Sequence, residues 1–292
     1  MTPEPIEDII RKRYSCRNYL PQPIPVEEQT YLNRFIAGLG AGPFGTQQRF
    51  TLVAASDGDR SALRKLGTYG YIKNPPGFVI GATKSARFDL EDYGYQMERI
   101  ILEATRIGLG TCWLGGTFTK SSFPRKIAAR PDELVPAVTA IGVPASKRRL
   151  IEVIRRPDPT IERRLPFETL FFEDGFDHPM AFEDAGEYSL ALEMVRRAPS
   201  ASNKQPWRVV RTGRDWHFYM QRTPGYQDQF LVRWATVADM QRLDMGIAMA
   251  HFELTAIESG LPGSWIRREA DIRRPDDLTE YVVSWIIDLN QG

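Results

Sequence analysis

The sequence predicts an α+β chain built from two similar halves, on three observations: an internal echo, a helical period shared by both copies, and a strand pattern after each. Shifting the chain by 152 residues places Asp92 on Asp244, Gly94 on Gly246, Met97 on Met249, Leu102 on Leu254, Ala104 on Ala256, Gly108 on Gly260, Leu109 on Leu261 and Trp113 on Trp265. Eight matches in 22 positions point to duplication rather than to convergent patterning of unrelated domains. Apolar residues at 93, 97, 100, 101, 104 and 107 recur at the spacing of one helix face, and both copies stop at a Gly-Leu pair that reads as a C-cap.

The flanking elements follow the same echo. Strand candidates LVPAVTAIGV at 134–143 and LTEYVVSWII at 278–287 follow the two helices, and upstream QRFTLVAA at 48–55 resembles QPWRVVRT at 205–212, with Gln48 on Gln205 and Val53 on Val210. Each half therefore reads helix, strand, helix, strand, from 1–155 and from 166–292. The proline- and charge-rich run IRRPDPTIERRLP places a linker at 156–165. The acidic and aromatic stretch 166–188 has no period and reads as an irregular arm lying across its partner half, or equally as a short helix.

Composition bounds the function. At roughly 150 residues per domain, a chain of 292 residues holds two domains, and 42% hydrophobic residues suffice for a core. A formal charge of +1 removes the electrostatic argument for nucleic acid or a membrane surface. Cys16 and Cys112 lack CxxC spacing, and His178, His217 and His251 lie far apart, so neither a disulfide scaffold nor a zinc site is written here and the histidines read as structural. The N-terminus lacks the basic start and apolar run of a signal peptide, and no stretch of 18 apolar residues occurs, so a cytoplasmic, reducing location is expected.

Two segments carry chemistry. Arg11, Lys12, Arg13 and Arg17, with Ser15 among them, close a helix marked by Ile6, Ile9 and Ile10; guanidinium forks and a hydroxyl suit a phosphate, and the same cluster also reads as a solvated basic helix end. RAPSASNKQPW at 197–207 follows the helix EYSLALEMVRR; Pro199 ends that helix, and the serines and asparagine form a turn able to grip a polar planar ligand, or simply a helix stop. The glycines of GLGTCWLGG follow a helix, which excludes a dinucleotide-binding loop. Cys16 lies in the cation cluster, and the neighbouring arginines would favour a thiolate there, but no histidine is near in sequence to serve as its base.

Together RYSCR, GLGTCWLGG at 108–116 and PSASNKQPW resemble the flavin-dependent nitroreductase family, and the whole chain is similar to its tandem single-chain branch. The resemblance implies a nitroreductase-like fold, two halves forming an intramolecular pseudo-dimer, and FMN as cofactor. It assigns Arg13 and Ser15, with Tyr14 between them, to the FMN phosphate and Arg17 to the N1/O2 edge of the ring, where a cation favours hydride acceptance. Pro199, Ser200, Ala201, Ser202, Asn203 and Gln205 would reach the ribityl chain and ring, with Gln205 equally readable as structural. Trp113 and Leu114 lead to Gly115 and Gly116, one of which would donate its amide to flavin N5; Trp113 also reads as core, because Trp265 echoes it. Of Lys147, Arg148 and Arg149, the resemblance brings one or more to the phosphate, and the three equally read as a solvated basic turn. Near the ring, Thr68 and Tyr71 stand where the family carries an amide or cation, and Tyr69 and Tyr71 would line the substrate face.

The distribution of these parts is asymmetric. The first half has RYSCR but reads GAGPFGTQQRF where the turn should be; the second has the turn but reads LPFETLFFEDGF, with acids in place of cations, where RxSxR should be. One composite site survives, which implies one FMN per chain and a monomer that contains its own dimer. The expected activity is oxidation of NAD(P)H and reduction of a small organic acceptor in ping-pong fashion. The alternative is a non-catalytic flavin-binding or interaction module.

Overall fold

The computed structural model describes residues 4–55, 70–115, 122–145, 163–225 and 238–287. The chain divides into two compact units, the first comprising Met1–Glu4 and Arg11–Pro157 and the second Pro5–Ile10 and Asp158–Gly292. A short helix α1 (Ile6–Lys12) opens the chain with Ile6, Ile9 and Ile10 buried, the face their spacing predicts.

In the first unit, helix α2 (Val26–Ala37) is followed by strands β1 (Gln48–Ala54) and β2 (Gly77–Lys84), helix α3 (Asp89–Arg106) and strand β3 (Gly110–Leu114). A short helix α4 (Ser122–Lys126), strand β4 (Glu133–Leu134) and strand β5 (Val138–Gly142) complete it. The sheet runs β1-β2-β5-β3, antiparallel throughout, with β4 on the end of β2. Seven of the eight β2 residues are buried. A strand covered on both faces loses the alternation that marks a half-buried one, which is why sequence periodicity did not reveal it. The strand expected over 134–143 is broken instead: Leu134 pairs with β2 in β4, and β5 begins at Val138.

The second unit repeats this path. Strand β6 (Phe171–Glu173), helix α5 (Ser189–Arg197), strands β7 (Trp207–Thr212) and β8 (Asp215–Gln221), helix α6 (Met240–Glu258), and strands β9 (Ser264–Ile266) and β10 (Thr279–Ile286) follow in order. The sheet runs β6-β7-β8-β10-β9, so β7-β8-β10-β9 retraces β1-β2-β5-β3. Identical strand order around an equivalent helix is what duplication predicts. Strands β7 and β8 meet at a two-residue turn whose first position, Gly213, has φ +61°, the backbone that matches the twist of a hairpin.

The stretch 166–188 departs from the expected irregular arm. Phe171–Glu173 pairs in parallel with Val209–Arg211 as the edge strand of its own unit's sheet, and 3-10 turns at Phe167–Thr169 and Glu183–Tyr188 flank it. Phe171 and Phe172 are buried, so the aromatic content of this run serves the core. Of the expected linker, residues 156–162 lie outside the described residues, and 163–165 are ordered against the second unit, as set out below.

Both long helices stop by the same device. Gly108 (φ +83°) and Gly260 (φ +69°) take the left-handed position; Gly108 N–H donates to Thr105 O at 3.0 Å and Leu109 N–H to Ala104 O at 2.9 Å, and Gly260 and Leu261 repeat this on Ile257 and Ala256 at 3.0 and 2.9 Å. This Schellman arrangement satisfies the last carbonyls and turns the chain into β3 or β9. An L side chain at such a φ costs about 1–2 kcal/mol, so Gly108→Ala and Gly260→Ala should each lower unfolding free energy by about that amount. Urea denaturation of the two variants checks this, and equal losses are expected.

Candidate functional site

The cation-rich segment is an extended strap on the end of the first unit's sheet. Beyond α1, Ser15 forms a parallel bridge with Thr111, Cys16 N–H donates to Thr111 O at 2.8 Å, Lys73 N–H donates to Arg17 O at 2.8 Å, and Tyr19 N–H donates to Lys73 O at 3.1 Å. An extended backbone alternates its side chains. Cys16 is accordingly buried while Ser15 and Arg17 are exposed, and Tyr19 is anchored through its hydroxyl to Cys16 O and Ala140 O at 2.7 and 3.1 Å. The structure thus brings RYSCR and GTCWL together within one unit, with Ser15 beside β3. The Arg17 guanidinium lies 5.5 Å from the centre of the exposed Tyr71 ring.

Arg13 is the buried member of the cluster. Its side chain is 7% exposed and its Nε lies 3.7 Å from Oε1 of Glu98, a fully buried carboxylate on α3. That Nε finds no hydrogen-bond partner among the described residues. The other oxygen of Glu98 accepts the indole N–H of Trp113 at 2.7 Å. One helix carboxylate therefore holds both Arg13 and Trp113, a role that sequence pattern did not suggest because Glu98 has no echo in the second half. Trp265 makes an analogous bond to Glu253, one helical turn further along, at 2.9 Å. Leu114 is buried at the end of β3 and Gly115 follows it. Gly116, Lys147, Arg148, Arg149, Thr68 and Tyr69 lie outside the described residues.

In the second unit, α5 ends at Arg197, Ala198 turns out with ψ 141°, and Pro199 follows. A 3-10 turn spans Ala201–Asn203. Ser202, Asn203 and Gln205 all have positive φ (52°, 56° and 50°). Three non-glycine residues in that region carry strain that persists only where surroundings over-determine it. The surroundings are visible. Ser200 Oγ accepts Gln205 N–H at 2.9 Å, and Asp244, buried on α6, accepts Ala201 N–H with both oxygens at 3.0 and 3.2 Å. From the end of the expected linker, Arg164 donates to Asn203 Oδ1 at 2.7 Å and to Arg197 O at 2.9 Å. Asn203 Nδ2 donates to Arg163 O at 2.9 Å, and Gln205 Oε1 accepts Leu165 N–H at 2.9 Å. Gln205 is 2% exposed and braces this segment. Ser202 and Asn203 lie at the surface of the turn.

The equivalent turn of the first unit keeps the scaffold but has no counterpart of Ser200, Ser202 or Asn203 except Thr46, whose hydroxyl is taken by Asp92. An offset of 157 residues, set by Gln48 and Gln205, places Pro43 on Ser200, Phe44 on Ala201, Gly45 on Ser202 and Thr46 on Asn203. Asp92, the echo of Asp244, accepts Phe44 N–H at 2.9 Å, and Thr46 N–H and hydroxyl at 2.8 Å each. Positive φ is confined to Gly45, at +72°, where no Cβ opposes it. Phe44 stacks on Phe88 with centroids 4.5 Å apart. Burial pushes the carboxyls of Asp92 and Asp244 above the usual range, that of Asp244 far above; accepted N–H bonds oppose this, and the Asp89 and Asp239 carboxylates add to it, respectively. The aspartates were visible as echo matches, but their bonds to a turn some 45 residues away are tertiary.

Of the remaining candidates, the cysteines, His217 and His251 are structural, whereas the His178 side chain, expected to be structural, is 67% exposed at the surface. Burial pushes the thiols of Cys16 and Cys112 up, which opposes the thiolate a nucleophile needs. His217 Nδ1 meets Ser284 Oγ at 2.6 Å inside the second sheet, with burial holding its pKa down, and His251 Nδ1 bonds Met194 O at 2.9 Å. In the acidic run, Glu173 pairs with Arg211 at 2.6 Å. Among the described residues no cluster of three His, Cys, Asp or Glu side chains could hold a metal, and no helix is long and apolar enough to cross a membrane.

A structure from Thermotoga maritima MSB8 described as a "putative nitroreductase" is 20% identical to the chain and superimposes over 98% of this chain and 95% of that one, with a TM-score of 0.62. Two shorter chains each cover about half of this one. A nitroreductase with bound FMN from Bacteroides fragilis NCTC 9343 is 20% identical and covers 49% of this chain and 89% of its own, with a TM-score of 0.40. An FMN-dependent nitroreductase from Clostridium difficile R20291 is 17% identical and covers 48% and 88%, with a TM-score of 0.41. No curated protein sequence matches the chain. The model of the family described as "Putative TM nitroreductase" matches residues 5–256, so the chain, with its two-half nitroreductase-like fold, belongs to that family.

Proposed function

We propose that the chain is an FMN-dependent oxidoreductase of the nitroreductase type, oxidising NADH or NADPH and reducing a small organic acceptor in two successive half-reactions. The observation that carries this reading is the asymmetry of the two turns: positive φ at non-glycine residues occurs together with two serines and an asparagine at Ser200–Gln205, and neither is present at Pro43–Gln48. Positive φ at non-glycine residues also occurs at Asn74, Phe88, Ala128 and Asp174, so what favours a ligand is that at this turn the strain coincides with exposed hydroxyl and amide side chains. The family and fold support the same reading.

The donor set fits a flavin mononucleotide. A phosphate requires charge-assisted donors, and Arg13, buried with an unsatisfied Nε, together with the exposed Ser15, supplies them. When bound, FMN supplies two-electron acceptance and delivery at its N5 atom. Glu98 holds Arg13 in place, Arg17 offers a fixed positive charge to the N1/O2 edge, and the Gly115 or Gly116 N–H would donate to N5. Pro199–Asn203 would supply backbone and hydroxyl groups to the ribityl chain and ring. One set of cations and one strained turn correspond to one FMN per chain, and to a chain that acts as its own dimer.

The purified protein should be yellow and release FMN in a one-to-one ratio to chain on denaturation; two flavins per chain would refute the loss of one site. Removing a charge-assisted contact costs about 1.5–3 kcal/mol, so Arg13→Ala and Arg17→Ala should each weaken FMN binding roughly 10- to 100-fold by fluorescence titration. Anaerobic mixing of the holoprotein with NADH or NADPH should bleach the flavin within the time of a turnover. Absence of bleaching with either nucleotide supports the non-catalytic binding module instead.

A further inference from the structure

Every L residue held in the left-handed region needs something to hold it, and the two units offer a natural comparison of what does. Both turns receive a buried helix carboxylate at the same backbone position, Asp92 at Phe44 N–H and Asp244 at Ala201 N–H. In the first unit Asp92 accepts three bonds, yet the turn it holds has discarded strain except at a glycine and has discarded its serines and asparagine. In the second unit Asp244 is 3% exposed and aims both oxygens at a single amide, while the residues that follow, Ser202, Asn203 and Gln205, remain strained. The carboxylate bond is therefore common to both turns, and what differs is what it is made to hold.

We propose that Asp244 is a positioning residue for the flavin, its buried carboxylate fixing the Ala201 amide so that the Ser200–Gln205 backbone is presented in its strained, ligand-ready conformation, whereas Asp92 serves stability alone. This rests on the proposed function and goes beyond it by naming a group that touches no flavin atom. Both aspartates begin the same kind of contact, from the same place on equivalent helices. Loss of either leaves a backbone N–H without its acceptor, which costs stability in both cases. Only loss of Asp244 slackens a turn whose shape a ligand reads.

The test compares Asp244→Ala and Asp92→Ala in the full chain, measuring FMN dissociation constant and thermal midpoint separately. Asp244→Ala should weaken FMN binding at least about tenfold, and Asp244→Asn, which keeps one acceptor oxygen, should regain most of it. Asp92→Ala should lower the thermal midpoint while leaving FMN affinity within about twofold of wild type. Amide exchange of the wild-type protein supplies a readout that needs no variant to fold: saturating FMN should slow exchange at Ala201 and leave Phe44 unchanged. Equal effects of the two alanine variants on FMN affinity, or equal protection of the two amides, overturn the positioning role alone. A wild-type chain that binds no FMN overturns the proposed function and this inference with it.

Discussion

A carboxylate removed from water persists only where hydrogen-bond donors replace the water it has lost, and both units use that constraint at the same place. Asp92 and Asp244, each on the first half of a long buried helix, collect the amides of the loop that enters the first strand of the echoed sheet path. The start of β1 and of β7 relative to the helix is set by this contact. At the other end of each helix the left-handed glycine fixes where the following strand begins.

Because the two units share this frame, their differences isolate what the frame does not require. The first unit fills its turn with Phe44, stacked on Phe88, and relaxes its backbone at Gly45. The second keeps strained, polar residues and braces them with Arg163, Arg164 and Leu165. Conversely, the first unit carries a buried guanidinium secured by Glu98, while the matching run of the second has become a parallel edge strand with aromatic core residues and a Glu173–Arg211 ion pair. The polar, strained turn thus belongs to the second unit and the cation-rich strap to the first, with packed residues in the corresponding stretch of the other.

Among the described residues, Cys16, Cys112, His217 and His251 are taken up by packing and hydrogen bonds. Cys16 sits in a cationic segment, which in isolation favours a thiolate, but desolvation dominates and pushes its pKa up. His217 and His251 are sealed within sheet and helix contacts. What remains is a scaffold that positions cations, amides and hydroxyls, the division of labour expected where a cofactor carries the bond-making steps.

Residue order alone determined the two-half organisation, the opening helix α1, the two echoed helices, helix α5, four of the strands and the two ligand-type motifs, because periodicity, glycine stops and motif spacing are local and repeat at constant offset; it missed α2 and α4. It missed β2, β3, β8 and β9, whose apolar or short runs carry no alternation, and it read Phe171–Glu173 as an irregular arm because a parallel edge strand is defined by the strand it joins. Gln205 was left between ligand and scaffold by its motif, and only its bonds to residues 163–165 show the bracing role. Glu98 and Asp244 gained their meaning only from tertiary structure. A carboxylate on a helix is unremarkable in sequence, and becomes decisive when folding brings a distant guanidinium or amide to it and takes the water away.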